Sequence, residues 1–281
     1  MIVTKHQYLL NEYLEKERAY GLTTGFVPTM GALHAGHMQL VEIAAEQSAI
    51  TVCSIFINPT QFNDKNDFTK YPQTFESDIH LLEPAATDFL FIPLASEIYP
   101  SGTDDLEHYD LGFLETILEG QYRPGHFQGV CQVMKRLLDM VQPDLLFMGQ
   151  KDYQQCMVLE KLIGLLNIPV QLIRCPTLRE FDGLAMSSRN TRLNEEQRQK
   201  APAIFETLNW IKEQYLKGDL QDIKKQAAGI LNDRGFRVDY VEVANANSLE
   251  LLTDPMPGRP AVALIAAFLG EVRLIDNILL S

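Results

Sequence analysis

Two histidines three positions apart, His34 and His37, close the string Pro28-Thr29-Met30-Gly31-Ala32-Leu33-His34-Ala35-Gly36-His37. A short apolar run from Gly25 precedes this string. A helical pattern through Leu40, Val41, Ala44 and Ala45 follows it. In an open α/β sheet, such a strand–turn–helix junction offers free backbone N–H groups to an anion at the carboxyl end of a strand. Gly31 and Gly36 allow close backbone approach. The histidine spacing predicts one shared face on the opening helix, with both rings aimed at one ligand. A phosphate suits this pattern. A glycine turn with two surface histidines is the plainer alternative, and a zinc site lacks further ligands at suitable spacing.

Four other segments place polar groups at the ends of apolar runs. Asn58 and Gln61 follow the run Ile50 to Ile57. Their amides suit a hydroxyl or a carboxylate, or else a turn held by Asn-Pro. Lys151 and Asp152 lie where Asp144 to Met148 gives way to a helix. A lysine at a helix start opposes the dipole and makes more sense facing a phosphate, although an exposed Lys-Asp pair is often only solvated charge. Met186-Ser187-Ser188-Arg189 offers hydroxyls and a guanidinium that suit pyrophosphate oxygens, and the same serines can cap the next helix. Arg123 and His126 read equally as an anion site or as a loop salt bridge.

The elements that must carry these residues alternate along the first part of the chain. Strands are expected at Gly25 to Pro28, Ile50 to Ile57, Asp88 to Ile92, Asp144 to Met148 and Val170 to Ile173. Helices are expected after His37, through Phe75, Ile79 and Leu82 to near Pro84, through Val130 to Val141, and over Met157 to Leu166. Alternation of this kind reads as an α/β fold, a Rossmann-like, doubly wound parallel sheet. The pattern changes near Pro176. Asn194 and Gln197 form a capping-box pair ahead of Ile204, Phe205, Leu208, Ile211 and Tyr215. Asp219 opens a second helix, stopped by Gly235, and strands follow at Val238 to Val243 and Ala261 to Phe268. The chain is therefore expected to divide into residues 1–176 and a smaller C-terminal α+β domain, residues 177–281.

Composition narrows the function classes. The 281 residues carry 24 Lys plus Arg against 37 Asp plus Glu, a formal charge of −13. A surface this acidic repels phosphate backbones at long range, so no nucleic-acid partner is expected. One local basic pocket can still hold a small phosphorylated ligand. No apolar run approaches the roughly 20 residues of a membrane helix, and the first 22 residues lack a signal-peptide core. No membrane association is expected. Cys53, Cys131, Cys156 and Cys175 form no CxxC pair. They read as reduced thiols in a cytoplasmic protein.

The segment from Pro28 to His37 resembles the HIGH motif of nucleotidylyltransferases and class I aminoacyl-tRNA synthetases. In full, it is most similar to the pantothenate synthetase family. Phe56 to Phe62, Arg123 to Phe127, Gly149 to Gln155 and Asp182 to Asn190 resemble further segments of that family, in the same order. Met186 to Arg189 resembles a KMSKS-type loop with Ala185 in place of its first lysine, as in this family. Gln73 departs from the family's usual YPRT.

The resemblance implies an ATP-dependent ligase that joins (R)-pantoate to beta-alanine through a pantoyl adenylate, releasing AMP and pyrophosphate. It implies ATP contacts on Met30, Gly31, Ala32, Leu33, His34, Ala35, Gly36, His37, Gly149, Gln150, Lys151, Asp152, Leu178, Met186, Ser187, Ser188 and Arg189. His34, His37 and Lys151 are expected at the reacting phosphates. Gln61 and Gln155 are expected on pantoate, with Gln61 also on beta-alanine, and Asn58, Arg123 and His126 are grouped with the substrate residues. Mg²⁺ on the triphosphate, no protein metal site and a homodimer are the remaining expectations.

Overall fold

The run Ile50–Ile55 holds no charge and is buried on every residue, as a strand covered on both faces must be. It lies inside a six-stranded sheet whose strand pairings are all parallel. The structure is a computed structural model and describes residues 1–62 and 65–280. Among these, the chain groups into two compact units. One comprises Met1–Gln150 and Gln155–Pro176. The other comprises Lys151–Gln154 and Thr177–Ser281, of which residue 281 lies outside the described set.

The first unit runs β1 (Ile2–Thr4), α1 (Gln7–Ala19), β2 (Thr24–Thr29), α2 (Ala35–Gln47), β3 (Ile50–Ile55), α3 (Lys65–Thr69), α4 (Phe75–Leu82), β4 (Phe89–Phe91), α5 (Ala95–Ile98), α6 (Leu118–Tyr122), α7 (His126–Val141) and β5 (Leu145–Gly149). Then come α8 (Tyr153–Leu166), whose first two residues group with the second unit, and β6 (Gln171–Cys175). The strand order is β1-β4-β3-β2-β5-β6. From β2 the chain steps to β3 on one side, and β5 later lies on the other. The strand order thus reverses between the carboxyl ends of β2 and β5, where ligands bind in such sheets.

Both sheet faces are covered. Val27, Cys53, Leu90 and Phe147 pack with Val41 and Ala44 of α2 and Leu82 of α4. Register places Phe26, Val52, Phe89 and Leu146 side by side on the opposite face. There the Tyr13 ring of α1 lies 5.7 Å from that of Phe89. The periodicity did not reveal β1 or α1. β1 is three residues long with Ile2 and Val3 exposed, and α1 buries only Leu10 and Leu14 of a Glu-rich helix.

The second unit contains α9 (Glu195–Lys200), α10 (Ala203–Gln214), α11 (Leu220–Asp233), β7 (Arg237–Asn245), β8 (Ala261–Leu269) and β9 (Val272–Leu279). Asn194 and Gln197 form the capping box at α9. The expected single helix is in fact two, α9 and α10, because Pro202 carries no N–H to continue the ladder. β8 pairs antiparallel with β7 and β9, and its apolar face meets Ile204, Leu208 and Ile211 of α10 and Ala227 and Leu231 of α11. β9 was not expected. It returns from β8 through Gly270 at φ +61, and two polar residues, Asp276 and Asn277, interrupt its apolar pattern. No described helix is long and apolar enough to cross a membrane.

Candidate active site

The string after β2 is held by its own side chains. His34 is not helical: its backbone is extended and it forms the N-cap of α2. His34 Nδ1 accepts from Gly36 N at 3.1 Å, and His37 Nδ1 accepts from His34 N at 3.3 Å. The sequence expectation of two residues on one helix face is therefore corrected. A reciprocal capping box, built from histidines rather than Ser and Glu, brings the rings to 4.1 Å between centroids. Because each Nδ1 is an acceptor, the proton of each neutral ring sits on Nε2, which becomes a donor.

Upstream, Gly31 and Ala32 both adopt positive φ, +79 and 51. For Ala32 this conformation costs roughly 1–2 kcal/mol. Asp78 of α4 enforces it. Its carboxylate, 1% exposed, accepts from Ala32 N at 3.0 Å, Leu33 N at 2.8 Å and Thr74 Oγ1 at 3.1 Å. Thr29 Oγ1 closes the other side, accepting from Gly31 N at 3.2 Å. The backbone from Thr29 to His37 is thus fixed before any ligand arrives.

The second cluster of the first unit surrounds Gln61. Asn58 caps a 3₁₀ turn over Pro59–Gln61. Its Oδ1 accepts from Tyr99 Oη at 2.7 Å, and its Nδ2 donates to Gln61 Oε1 and to Gly129 O, both at 3.1 Å. At 1% exposure, Asn58 holds the turn that carries Gln61. Gln61 Nε2 reaches Met30 Sδ at 3.1 Å, which links the turn to the string after β2. His126 Nδ1 lies 2.8 Å from Gln61 O, and its Nε2 lies 3.1 Å from Arg123 Nη1. A guanidinium can only donate, so Nε2 accepts and Nδ1–H donates to Gln61 O. Arg123 also lies 3.8 Å from Glu119. Gln155 sits half-buried in the first turn of α8.

Gly129 of α7 abuts this turn. A Cβ there would stand 2.3 Å from Thr60 O and 2.7 Å from Gln61 Cα. Gly129→Ala is expected to cost about 1–3 kcal/mol of stability, read from urea unfolding. A loss below about 0.5 kcal/mol would mean that the turn moves aside freely, against the rigid packing described here.

The second unit brings together another set. Met186 N donates to Leu178 O at 3.0 Å, beside a bridge between Arg179 and Ala185. Ser187 caps a 3₁₀ turn over Ser188–Arg192, its hydroxyl accepting from Arg189 N at 3.3 Å. Lys151 Nζ lies 3.7 Å from Asp152 Oδ2. Gly149 and Gln150 belong to the first unit, at the end of β5. All four cysteines are buried, and none is in a disulfide. Burial pushes the thiols of Cys53 and Cys131 up to about 12 and that of Cys175 to about 11. Raised in this way, the thiols of Cys53, Cys131 and Cys175 stay protonated at neutral pH.

A model of the pantoate-beta-alanine ligase family matches residues 2–279. The chain belongs to that family. Among relatives of this ligase family, the pantothenate synthetase of Bacteroides thetaiotaomicron is 42% identical over 262 residues, covering 93% of this chain and 92% of that protein. The pantothenate synthetase of Aeromonas hydrophila is 42% identical over 279 residues, covering 99% and 97%. The crystal structure of pantothenate synthetase from Thermus thermophilus covers 99% of both chains, with TM-score 0.91 and 38% identity. That of the Francisella tularensis pantoate-beta-alanine ligase, complexed with beta-gamma ATP and beta-alanine, covers 99% and 97%, with TM-score 0.83 and 34% identity.

Family motifs did not reveal every residue that shapes this ligase's candidate site. Asp78, Tyr99, Gly129, Arg179, Asp276 and Asn277 lay outside them. Asp78 had a signal: it falls on the apolar helical stripe of Phe75, Ile79 and Leu82, where a lone carboxylate that becomes buried needs N–H partners.

Proposed function

We propose that the chain is an ATP-dependent ligase that condenses (R)-pantoate with beta-alanine. A pantoate carboxylate oxygen attacks the α-phosphorus of ATP and the bond to the β-phosphate breaks, giving pantoyl adenylate and pyrophosphate. The amine of beta-alanine then attacks the acyl carbon, loses a proton and expels AMP. The observation that carries this reading is the histidine capping pair at the reversal of strand order, a preformed donor set at the end of β2. Family membership supplies the substrate class.

In this reading Nε2–H of His34 and His37 donates to phosphate oxygens as charge develops on them, and the Lys151 ammonium does the same. Preorganised donors of this kind are the largest single source of catalysis when no covalent intermediate forms. Met30 to His37 and Gly149 to Asp152 line the nucleotide. The Leu178 backbone meets its adenine side, and Met186, Ser187, Ser188 and Arg189 grip the triphosphate. Gln61 and Gln155 pair with pantoate, Gln61 also with beta-alanine. Asn58, His126 and Arg123 act behind Gln61, by holding its turn. Among the described residues no cluster of three or more His, Cys, Asp or Glu side chains could hold a metal. In this reading Mg²⁺ enters as part of the nucleotide substrate, with phosphate and water as its ligands. We place the enzyme in the cytoplasm as a homodimer, on the behaviour of the family.

The test is turnover with each substrate omitted in turn, using pantoate labelled with oxygen-18 in its carboxylate. One label is expected in free AMP, because the attacking oxygen leaves with the phosphate. ATP–pyrophosphate exchange is expected with pantoate alone. Pantothenate formed with unlabelled AMP would exclude the adenylate. AMP retained on the product would instead indicate nucleotidyl transfer.

A further inference from the structure

We propose that Asp276 and Asn277, adjacent on β9, are positioning residues that set Lys151 and the Leu178–Arg189 loop against one common strand. The inference rests on the reading that Lys151 faces the phosphates.

Asn277 Nδ2 donates to the Lys151 backbone carbonyl at 2.9 Å, across 126 positions of sequence. Asn277 is only 2% exposed. Two residues on, Tyr153 Oη donates to Ala246 O at 2.7 Å. The segment Lys151–Gln154 is therefore tied at two points to the second unit, with which it groups: to β9 and to the residue that follows β7.

Asp276 serves the other side of the same strand. Its carboxylate takes a two-point pair from Arg179, Nη1 to Oδ2 at 2.6 Å and Nη2 to Oδ1 at 3.0 Å. Asn277 N donates to the same Oδ1 at 2.8 Å. Arg179 also donates to Gly183 O at 3.0 Å and to Asn277 O at 3.3 Å, and its guanidinium lies 3.9 Å from the centre of the Phe205 ring. One guanidinium thereby spans the base of the loop that presents Met186 to Arg189 and locks it to β9. Burial pushes the Asp276 carboxyl up, while Arg179, and more weakly Lys151, favour its charged form.

The residue types argue against a merely structural part. Asp276 stands in the alternation Val272, Leu274, Asp276, Ile278, where an apolar side chain would pack. A buried ion pair contributes little more to stability than a well-packed apolar pair, and often less. What it adds is direction, because a two-point pair fixes both an angle and a distance. On β9 that direction is shared by the two segments assigned to the phosphates.

The experiment is a kinetic cycle with Asn277→Ala, Lys151→Ala and the double variant, together with the paired swap Arg179→Met plus Asp276→Leu. Lys151→Ala is expected to lower turnover about 10²–10³-fold. Asn277→Ala is expected to lower kcat/KM for ATP by about 10- to 100-fold, with KM for beta-alanine unchanged. In the Lys151→Ala background the same change should cost less than about twofold, since coupled residues are not additive. The paired swap is expected to leave the melting temperature unchanged or higher while kcat/KM for ATP falls. Should Asn277→Ala not fold, Asn277→Ser enters the same cycle. Equal losses from the Asn277 change in both backgrounds, or a paired swap with full activity, overturns the positioning proposal. Near wild-type turnover of Lys151→Ala overturns instead the reading on which it rests.

Discussion

His37→Ala is expected to lower kcat about 10²–10³-fold, roughly 3–4 kcal/mol of transition-state stabilisation, in a protein that remains folded. The ring has two separable parts. Its Nδ1 accepts from His34 N and completes the cap of α2. Its Nε2 is the donor assigned to phosphate oxygen. Losing the first costs little stability, because the position is partly exposed and water can replace the acceptor. Losing the second removes a preorganised donor that water cannot replace in the same geometry. His37→Asn separates the two, since the asparagine oxygen can cap but its amide does not reach where Nε2 stood. Steady-state rates and thermal melts on both variants check the claim. Activity within threefold of wild type in either variant sinks the phosphate assignment.

Asp78→Ala is expected to cost about 3–5 kcal/mol of stability, because hydrogen bonds to a charged acceptor are worth roughly 1.5–3 kcal/mol each and buried donors left unpaired are costly. Two such donors are the amides of Ala32 and Leu33. The variant also releases Ala32 from its left-handed conformation, so the string before His34 relaxes and use of ATP falls with stability. Asp78→Asn keeps one acceptor oxygen and should lose about half as much. Urea unfolding of the three proteins gives the ranking. An alanine variant within 1 kcal/mol of wild type would show that the turn holds without its carboxylate.

The parallel sheet was legible because β3, β4 and β5 are short apolar runs between helical patterns, and burial on both faces leaves no polar alternation to confuse them. The capping pair at α9 was legible because Asn194 and Gln197 are the residue types that the motif requires. The histidine pair was visible as a spacing but not as a geometry. Histidine is rarely read as an N-cap, and only the distances reveal that the pair caps itself. β1 escaped notice because a three-residue edge strand has no periodicity to detect. β9 escaped because Asp276 and Asn277 break its apolar pattern for reasons that lie elsewhere in the chain. Side chains that answer to distant partners carry no local signature, and so the residues behind Lys151 were the hardest part of the candidate site to find in the sequence.

The grouping of Lys151–Gln154 with the later sheet bears on how this protein can be recombined. A crossover at residue 176 looks natural from the chain order. It would take Asn277 and Ala246 from one parent and Lys151 and Tyr153 from the other, splitting both anchoring bonds between two ancestries. Chimeras between relatives should therefore carry residues 151–154 with the C-terminal cassette, as a four-residue graft inside the N-terminal parent.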